Sequence, residues 1–180
     1  NDLIVFDKYY TIELGKNIAQ RAANKYRLFE KYNCDTTQFD AHTDEPDETF
    51  SDRQEYFNGK LTLINGDSTE MLTTLLPMID EPICFWLDAH AGAQKYARGT
   101  DDVPLLTELD AIKNHHIKDH IIAIDDAHLL GQRQYDKNGN VICDYSHVSY
   151  DIVKDKLLEI NPSYDVGIYD PYDMQMVIAV

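Results

Sequence analysis

The chain is poor in positive charge. Sixteen Lys and Arg face 32 Asp and Glu, for a formal net charge of −16 and a pI near 4.6. That balance repels phosphate backbones and anionic head groups, so nucleic acid and membrane surfaces are not expected partners, and its plain role is solubility. No apolar run approaches the ~18 residues of a membrane helix. No charged-then-apolar leader opens the chain, and a start at Asn1 is expected of a processed or trimmed product. Cysteine is scarce: Cys34, Cys84 and Cys143 are odd in number, scattered, and form no CxxC metal or redox motif. A reducing, cytoplasmic setting is therefore expected. None of the eight glycines stands in a GxG, and all lie at or beyond Gly15. There are no internal repeats.

What is present is enough for one domain with a sizeable core: 180 residues, 43% of them hydrophobic. Its centre is Pro82-Ile-Cys-Phe-Trp-Leu-Asp88-Ala-His90. The run Ile83 to Leu87 reads as a strand buried on both faces, with Cys84 inside it as a small apolar residue. It ends in an acid and, two residues later, a histidine. His120-Ile-Ile-Ala-Ile124 does the same and ends in Asp125-Asp126. Two buried strands that release carboxylates at their carboxyl ends are the pattern of an open α/β sheet with a site on that edge.

The remaining elements follow from periodicity. Tyr9 to Ile12 read as a strand leading to Glu13, and residues 16–32 as an amphipathic helix with Ile18, Ala19, Ala22, Ala23, Tyr26 and Phe29 on one side. Residues 35–58 read as a long acidic loop, a lid or a poorly ordered insertion. Lys60 to Ile64 read as a strand, then a helix capped by Ser68 or Thr69. Pro104 opens a helix whose buried side is Leu105, Leu106, Leu109 and Ile112. Asn138-Gly139 marks a hairpin. Residues 148–160 read as a helix with Ile152, Val153, Leu157 and Ile160 inward. Strands at 164–170 and 174–180 close the chain and must be antiparallel. The alternation implies a Rossmann-like, doubly wound, mostly parallel sheet with helices on both faces and a C-terminal antiparallel strand pair.

Tyr10-Thr-Ile-Glu13-Leu, Asn65-Gly-Asp67-Ser68, Phe85-Trp-Leu-Asp88-Ala-His90, Pro104-Leu-Leu-Thr-Glu108-Leu and Ile124-Asp125-Asp126 stand in an order that resembles class I S-adenosylmethionine-dependent methyltransferases. Within that class the acids resemble those of metal-dependent O-methyltransferases of the catechol and macrocin types. The resemblance spans residues 1–180 as a single methyltransferase-like domain. It implies O-methylation of a small polyhydroxy or sugar-like acceptor, with S-adenosylmethionine as cofactor and Mg²⁺ or Ca²⁺ as the ion.

Carried over by position, Glu13 matches the acid that holds the cofactor ribose. Asp67, flanked by Gly66 and Ser68, matches the acid at the adenine amine, and Asp88 also borders the cofactor. Asp88, Asp125 and Asp126 match the metal ligands, and Asp88 and His90 the catalytic positions. Plainer readings stand beside these. Glu13 also suits a solvent-facing acid at a helix start, and Asp67-Ser68 a helix cap. The three acids also suit a polar sheet edge, though without a cation they would repel one another. His90 and His128 suit a base, a further ligand, or an orienting partner of the acids. His115, His116 and His120 precede the strand and read as surface or structural. Lys95 and Arg98 suit contact with a polar or anionic substrate, or simple solvation.

The chain departs from this pattern where the first strand and glycine-rich cofactor turn should precede Glu13. Two other functions are therefore weighed. One is a catalytically degenerate methyltransferase-like binding module. The other is a metallophosphoesterase, suggested by Gly66-Asp67 and the Asp88-Ala-His90 DxH. The latter lacks the Asn-His pair that family needs and has GD before DxH.

Overall fold

The computed structural model describes residues 6–32, 51–90, 99, 101–170 and 175–180. The chain divides into two compact units, Asn1–Asp67 and Ser68–Val180. In the first, β1 (Tyr9–Glu13) leads to α1 (Lys16–Tyr32), then β2 (Arg53–Tyr56) and β3 (Leu61–Asn65). The strand order is β1-β3-β2. β1 runs parallel to β3, with Tyr9 opposite Leu61 and Glu13 opposite Asn65. β2 is antiparallel to β3. Phe57, Asn58 and Gly59 take positive φ angles of 53°, 57° and 79°, which reverse the chain between β2 and β3. Ala23 of α1 meets Tyr56 and Leu63 in a small core, with Ala22 and Tyr26 packed against it. The Tyr26 and Tyr56 ring centroids are 5.6 Å apart.

The second unit begins with α2 (Ser68–Leu75), which tightens into a 3₁₀ turn at Leu76–Met78 where Pro77 cannot continue the α pattern. There follow β4 (Cys84–Leu87), α3 (Leu105–Asn114), β5 (Ile121–Ile124), a 3₁₀ turn (Ala127–Leu129), β6 (Arg133–Tyr135), β7 (Val141–Asp144), α4 (Tyr150–Ile160), β8 (Val166–Tyr169) and β9 (Met176–Ala179). The sheet order is β4-β5-β9-β8, with β6-β7 a separate hairpin. β4 and β5 are parallel, Cys84 opposite Ile121 and Leu87 opposite Ile124. β9 is antiparallel to both its neighbours. Ser149 caps α4, its hydroxyl accepting from the Ile152 N–H at 3.3 Å.

The doubly wound, mostly parallel sheet expected from the alternation is not what forms. Among the described residues there are three sheets of three, four and two strands, and four α-helices. Two strand pairings are parallel and four antiparallel. The reasons are local. β2 lies where a loop was expected and takes β3's second edge in antiparallel sense. β9 takes β5's second edge in the same sense. Residues 35–50 of the expected loop lie outside the described residues.

Burial corrects the reading of the central strands as well. Phe85 and Leu87 are 7% and 8% exposed, but Trp86 between them is 58% exposed and Ile121 on β5 is 40% exposed. Cys84 is exposed too. The apolar run is therefore a one-faced strand with the ordinary two-residue alternation. The inward residues Phe85, Leu87, Ile122, Ile124, Val177 and Ala179 are buried, as are Leu105, Leu109 and Ile112 of α3 and Val153, Leu157 and Ile160 of α4. Ile152 is 41% exposed, and Leu106 is half-buried while Glu108 and Ala111 are buried instead.

At the amino ends of β4 and β5 a buried histidine pair ties the segments together. The Ile83 N–H donates to His120 Nδ1 at 3.1 Å. His120 Nε2 lies 3.0 Å from His115 Nδ1, and His115 Nε2 lies 2.8 Å from the Ile79 carbonyl. One proton assignment satisfies every link: Nδ1 accepts and Nε2 donates on both neutral rings. The Tyr164 hydroxyl accepts from the His120 N–H at 3.1 Å and donates to the Lys118 carbonyl at 2.8 Å. His115 and His120 are thus structural, while His116 reaches Asp80 on the surface at 3.0 Å.

Candidate cation site

The register of β4 and β5 places Asp88 and Asp125 side by side, each one residue past the paired Leu87 and Ile124. The Asp125 N–H donates to the Leu87 carbonyl at 3.0 Å, extending the pairing by one step. Asp126 then takes a left-handed conformation, φ 54° and ψ 35°, which Asp tolerates better than most residues. Its N–H donates to Asp125 Oδ1 at 2.8 Å. The Asp125 carboxylate is therefore engaged locally, while Asp126 joins a different group.

That group is Asp88, His90 and Asp126, which each offer one ligand atom, all within 4.8 Å of one another. His90 Nδ1 is 3.6 Å from Asp88 Oδ1, and His90 Nε2 is 3.8 Å from Asp126 Oδ2. These separations exceed hydrogen-bond lengths. They start from different ring nitrogens of His90, only one of which can face a given ion, so they place the ring between the two carboxylates. His128 Nδ1 lies 3.8 Å from Asp126 Oδ1 on the outer side. The Asp88 carboxyl is held above its ordinary range, first by burial, with His90 opposing and the charges of Asp125 and Asp126 adding to the rise. A cation among these oxygens would reverse that repulsion.

Asp88 and His90, but not Asp126, border a shallow cleft with room for about one water molecule. Leu87, Val103, Leu105 and Ile124 form its apolar wall, and Asp88, His90, Glu108, Asp125 and Tyr145 its polar one. Glu108, on α3, is 2% exposed and Tyr145 is 5% exposed. The Tyr145 ring centroid lies 6.0 Å from that of His90. Its phenol is pushed far above the usual range, first by burial, then by Cys143 and by Asp126, Asp88 and Asp125. It stays a neutral donor at any physiological pH.

Neither Glu108 nor Tyr145 was singled out as a site residue from sequence. Glu108 shares the helical arc of Leu105, Leu109 and Ile112, so its burial was readable from the period. Tyr145 arrives from the end of the β6–β7 hairpin, and no sequence pattern indicates where that hairpin packs.

The remaining expected site residues fall in the first unit or at its boundary. Glu13 ends β1, and its Oε1 accepts from the Gly15 N–H at 2.8 Å. Its backbone carbonyl accepts from Asn65 Nδ2 at 2.7 Å and from the Gly66 N–H at 3.1 Å. The parallel pairing thus brings Glu13 beside Asn65-Gly66. Ser68 is the first residue of α2 and opens the second unit. Lys95 and Arg98 lie outside the described residues. No helix among the described residues is long and apolar enough to cross a membrane.

No protein-family model matches the chain, and no match is found among curated proteins or solved structures.

Proposed function

We propose that the chain carries a divalent-cation site serving S-adenosylmethionine-dependent O-methylation of a small polyhydroxy or sugar-like acceptor, in a reducing, cytoplasmic setting. The observation that carries this reading is the convergence of Asp88, His90 and Asp126 at the carboxyl ends of two parallel strands. Two carboxylates and an imidazole suit Mg²⁺, Mn²⁺ or Ca²⁺ with waters completing the shell. When bound, such an ion supplies the Lewis acidity that makes a coordinated hydroxyl easier to deprotonate. Asp88, His90 and Asp126 would hold such an ion, the two carboxylates offsetting its charge, and the apolar residues Leu87, Val103, Leu105 and Ile124 would keep water from that side.

For the cofactor the fit is partial. The Glu13 carboxylate accepts one hydrogen bond from Gly15 and keeps acceptor capacity for two vicinal hydroxyls. Asp67 at the neighbouring strand end suits an exocyclic amine. The chain offers no glycine-rich turn for the methionine end, so no step is assigned there.

The test is methyl transfer from labelled S-adenosylmethionine to a panel of sugars and polyols by the full chain. Transfer that requires Mg²⁺ and is lost in Asp88→Asn is expected. No transfer, together with no thermal shift by S-adenosylhomocysteine in the presence or absence of Mg²⁺, would sink the reading. A second reading is a binding module without turnover. Cation binding with no response to S-adenosylhomocysteine would select it.

A further inference from the structure

The sheet β4-β5-β9-β8 buries one face and leaves apolar residues exposed on the other. Its register fixes which residues share the outer face: Trp86 lies opposite Ala123, Ala123 opposite Ile178, and Ile178 opposite Gly167. By the two-residue alternation Ile121, Val180 and Tyr169 turn the same way. Trp86, Ile121, Val180 and Tyr169 are all exposed. None of the residues in the four strands is charged. The face is also a trough. The edge strands β4 and β8 carry the large rings of Trp86 and Tyr169. Between these rings Ala123 is small, and Gly167 has open space where a Cβ would stand. Three strand spacings set the edges ~14 Å apart, room for one helix of ~10 Å diameter.

Acids close the trough at both ends. Asp165 pairs with Val180 through hydrogen bonds of 2.8 and 3.3 Å, so it shares the outer face. Asp119 stands two residues before Ile121 and does the same. Asp88 and Asp125 follow Trp86 and Ala123 by two residues at the far end. Asp88, Asp119 and Asp165 are exposed. A second copy turned either way on this face would set acid against acid and ring against ring. A helix with an apolar stripe fills the trough, and Lys or Arg on its flanks meets the acids with opposite charge.

We propose that the outer face of β4-β5-β9-β8 docks one amphipathic helix of a partner protein, its aliphatic stripe over Ala123 and Gly167 between Trp86 and Tyr169, its Lys and Arg flanks toward the acids at the two ends. Asp119 and Asp165 carry the charge contact whether or not an ion occupies Asp88.

Trp86 is the only tryptophan, so it reports on this face directly. The test titrates the full chain with a Trp-free amphipathic helix of about 18 Leu and Lys residues. A shuffled peptide of the same composition is the control for charge alone. The amphipathic peptide gives a saturable blue shift of Trp86 emission and protection from acrylamide, and the shuffled peptide binds at least about tenfold more weakly. Gly167→Lys raises the floor with a like charge in open space, so it keeps the unfolding temperature and weakens peptide binding about tenfold. Val141→Lys, at an exposed position on the β6–β7 hairpin, changes the net charge equally and leaves binding within about twofold. Equal titration by the shuffled peptide, equal loss in both variants, or no response of Trp86 would overturn the proposal. Sedimentation of the full chain without peptide should show a monomer; a dimer lost in Gly167→Lys would make a second copy the occupant and overturn it as well.

Discussion

Acidification tests the histidine relay at the amino ends of β4 and β5. His120 is 2% exposed. Its Nδ1 accepts from Ile83 and its Nε2 faces His115, so an added proton would set an N–H against an N–H. The groups around it are the stacked His115 at 5.1 Å, the edge-on Phe85 at 5.2 Å and the Tyr164 hydroxyl, with Lys118 and Asp119 near by. Burial first, and His115 second, push the His120 imidazole down from 6.5 to about 4.

The unfolded chain takes up the proton near pH 6.5, while the folded chain refuses it until about pH 4. The unfolded state thus binds more protons in this window, and stability falls as pH falls through it. The gap is worth about 3 kcal/mol, fully present above pH 6.5 and lost by about pH 4. Urea unfolding at steps from pH 7 to pH 4.5 measures it, with His120→Gln as the reference. Carboxylates such as Asp136 and Asp144 titrate alike in both proteins and cancel. Below pH 6 the unsubstituted chain should lose stability more steeply than the variant, by up to about 1.4 kcal/mol per pH unit. Parallel slopes, or a His120 imidazole titrating near 6.5 in ¹⁵N spectra, would refute the reasoning.

Two further outcomes follow from burial. Trp86 is the only tryptophan and is 58% exposed, so its emission should be red-shifted and readily quenched by acrylamide; blue, protected emission would contradict the one-faced strand. Leu109→Ala, at a fully buried position, should cost about 2–5 kcal/mol in denaturant unfolding. Ile152→Ala, at a 41% exposed position, should cost less than about 1 kcal/mol, and a reversal of that order would misplace the core.

The elements that were legible are those with a strong period or strong punctuation. β1 and α1 form at the expected residues because Tyr9 to Ile12 are β formers, Gly15 breaks the strand, and Ala19 and Ala23 recur at helical spacing. Asn138-Gly139 makes its hairpin because Gly139 accepts a φ of 84°. β2 escaped notice for a physical reason. In Arg53-Gln-Glu-Tyr only Tyr56 is buried, so an edge strand with one core contact carries no alternation to read. The run Ile83 to Leu87 misled in the opposite direction: five apolar residues look two-faced, but an outward Trp86 and an exposed Cys84 follow from the pleat. Sheet order failed because antiparallel neighbours such as β2 and β9 are chosen by tertiary packing that no local pattern encodes.

The candidate site was legible in part. The strand-end position of Asp88 and Asp126 follows from two apolar runs that stop at acids. Their company was less clear. The backbone turn at Asp126 engages the Asp125 carboxylate locally, and His90 takes the third place in the group.

The central claim is that Asp88, His90 and Asp126 hold one divalent ion. Titration of Mn²⁺ into the full chain, followed by the loss of the free-ion paramagnetic signal, tests it most directly. The account predicts saturable binding at one site, weakened at least about tenfold by Asp88→Asn and by Asp126→Asn with the fold intact. Affinity unchanged by both substitutions, or no saturable binding at all, would contradict it.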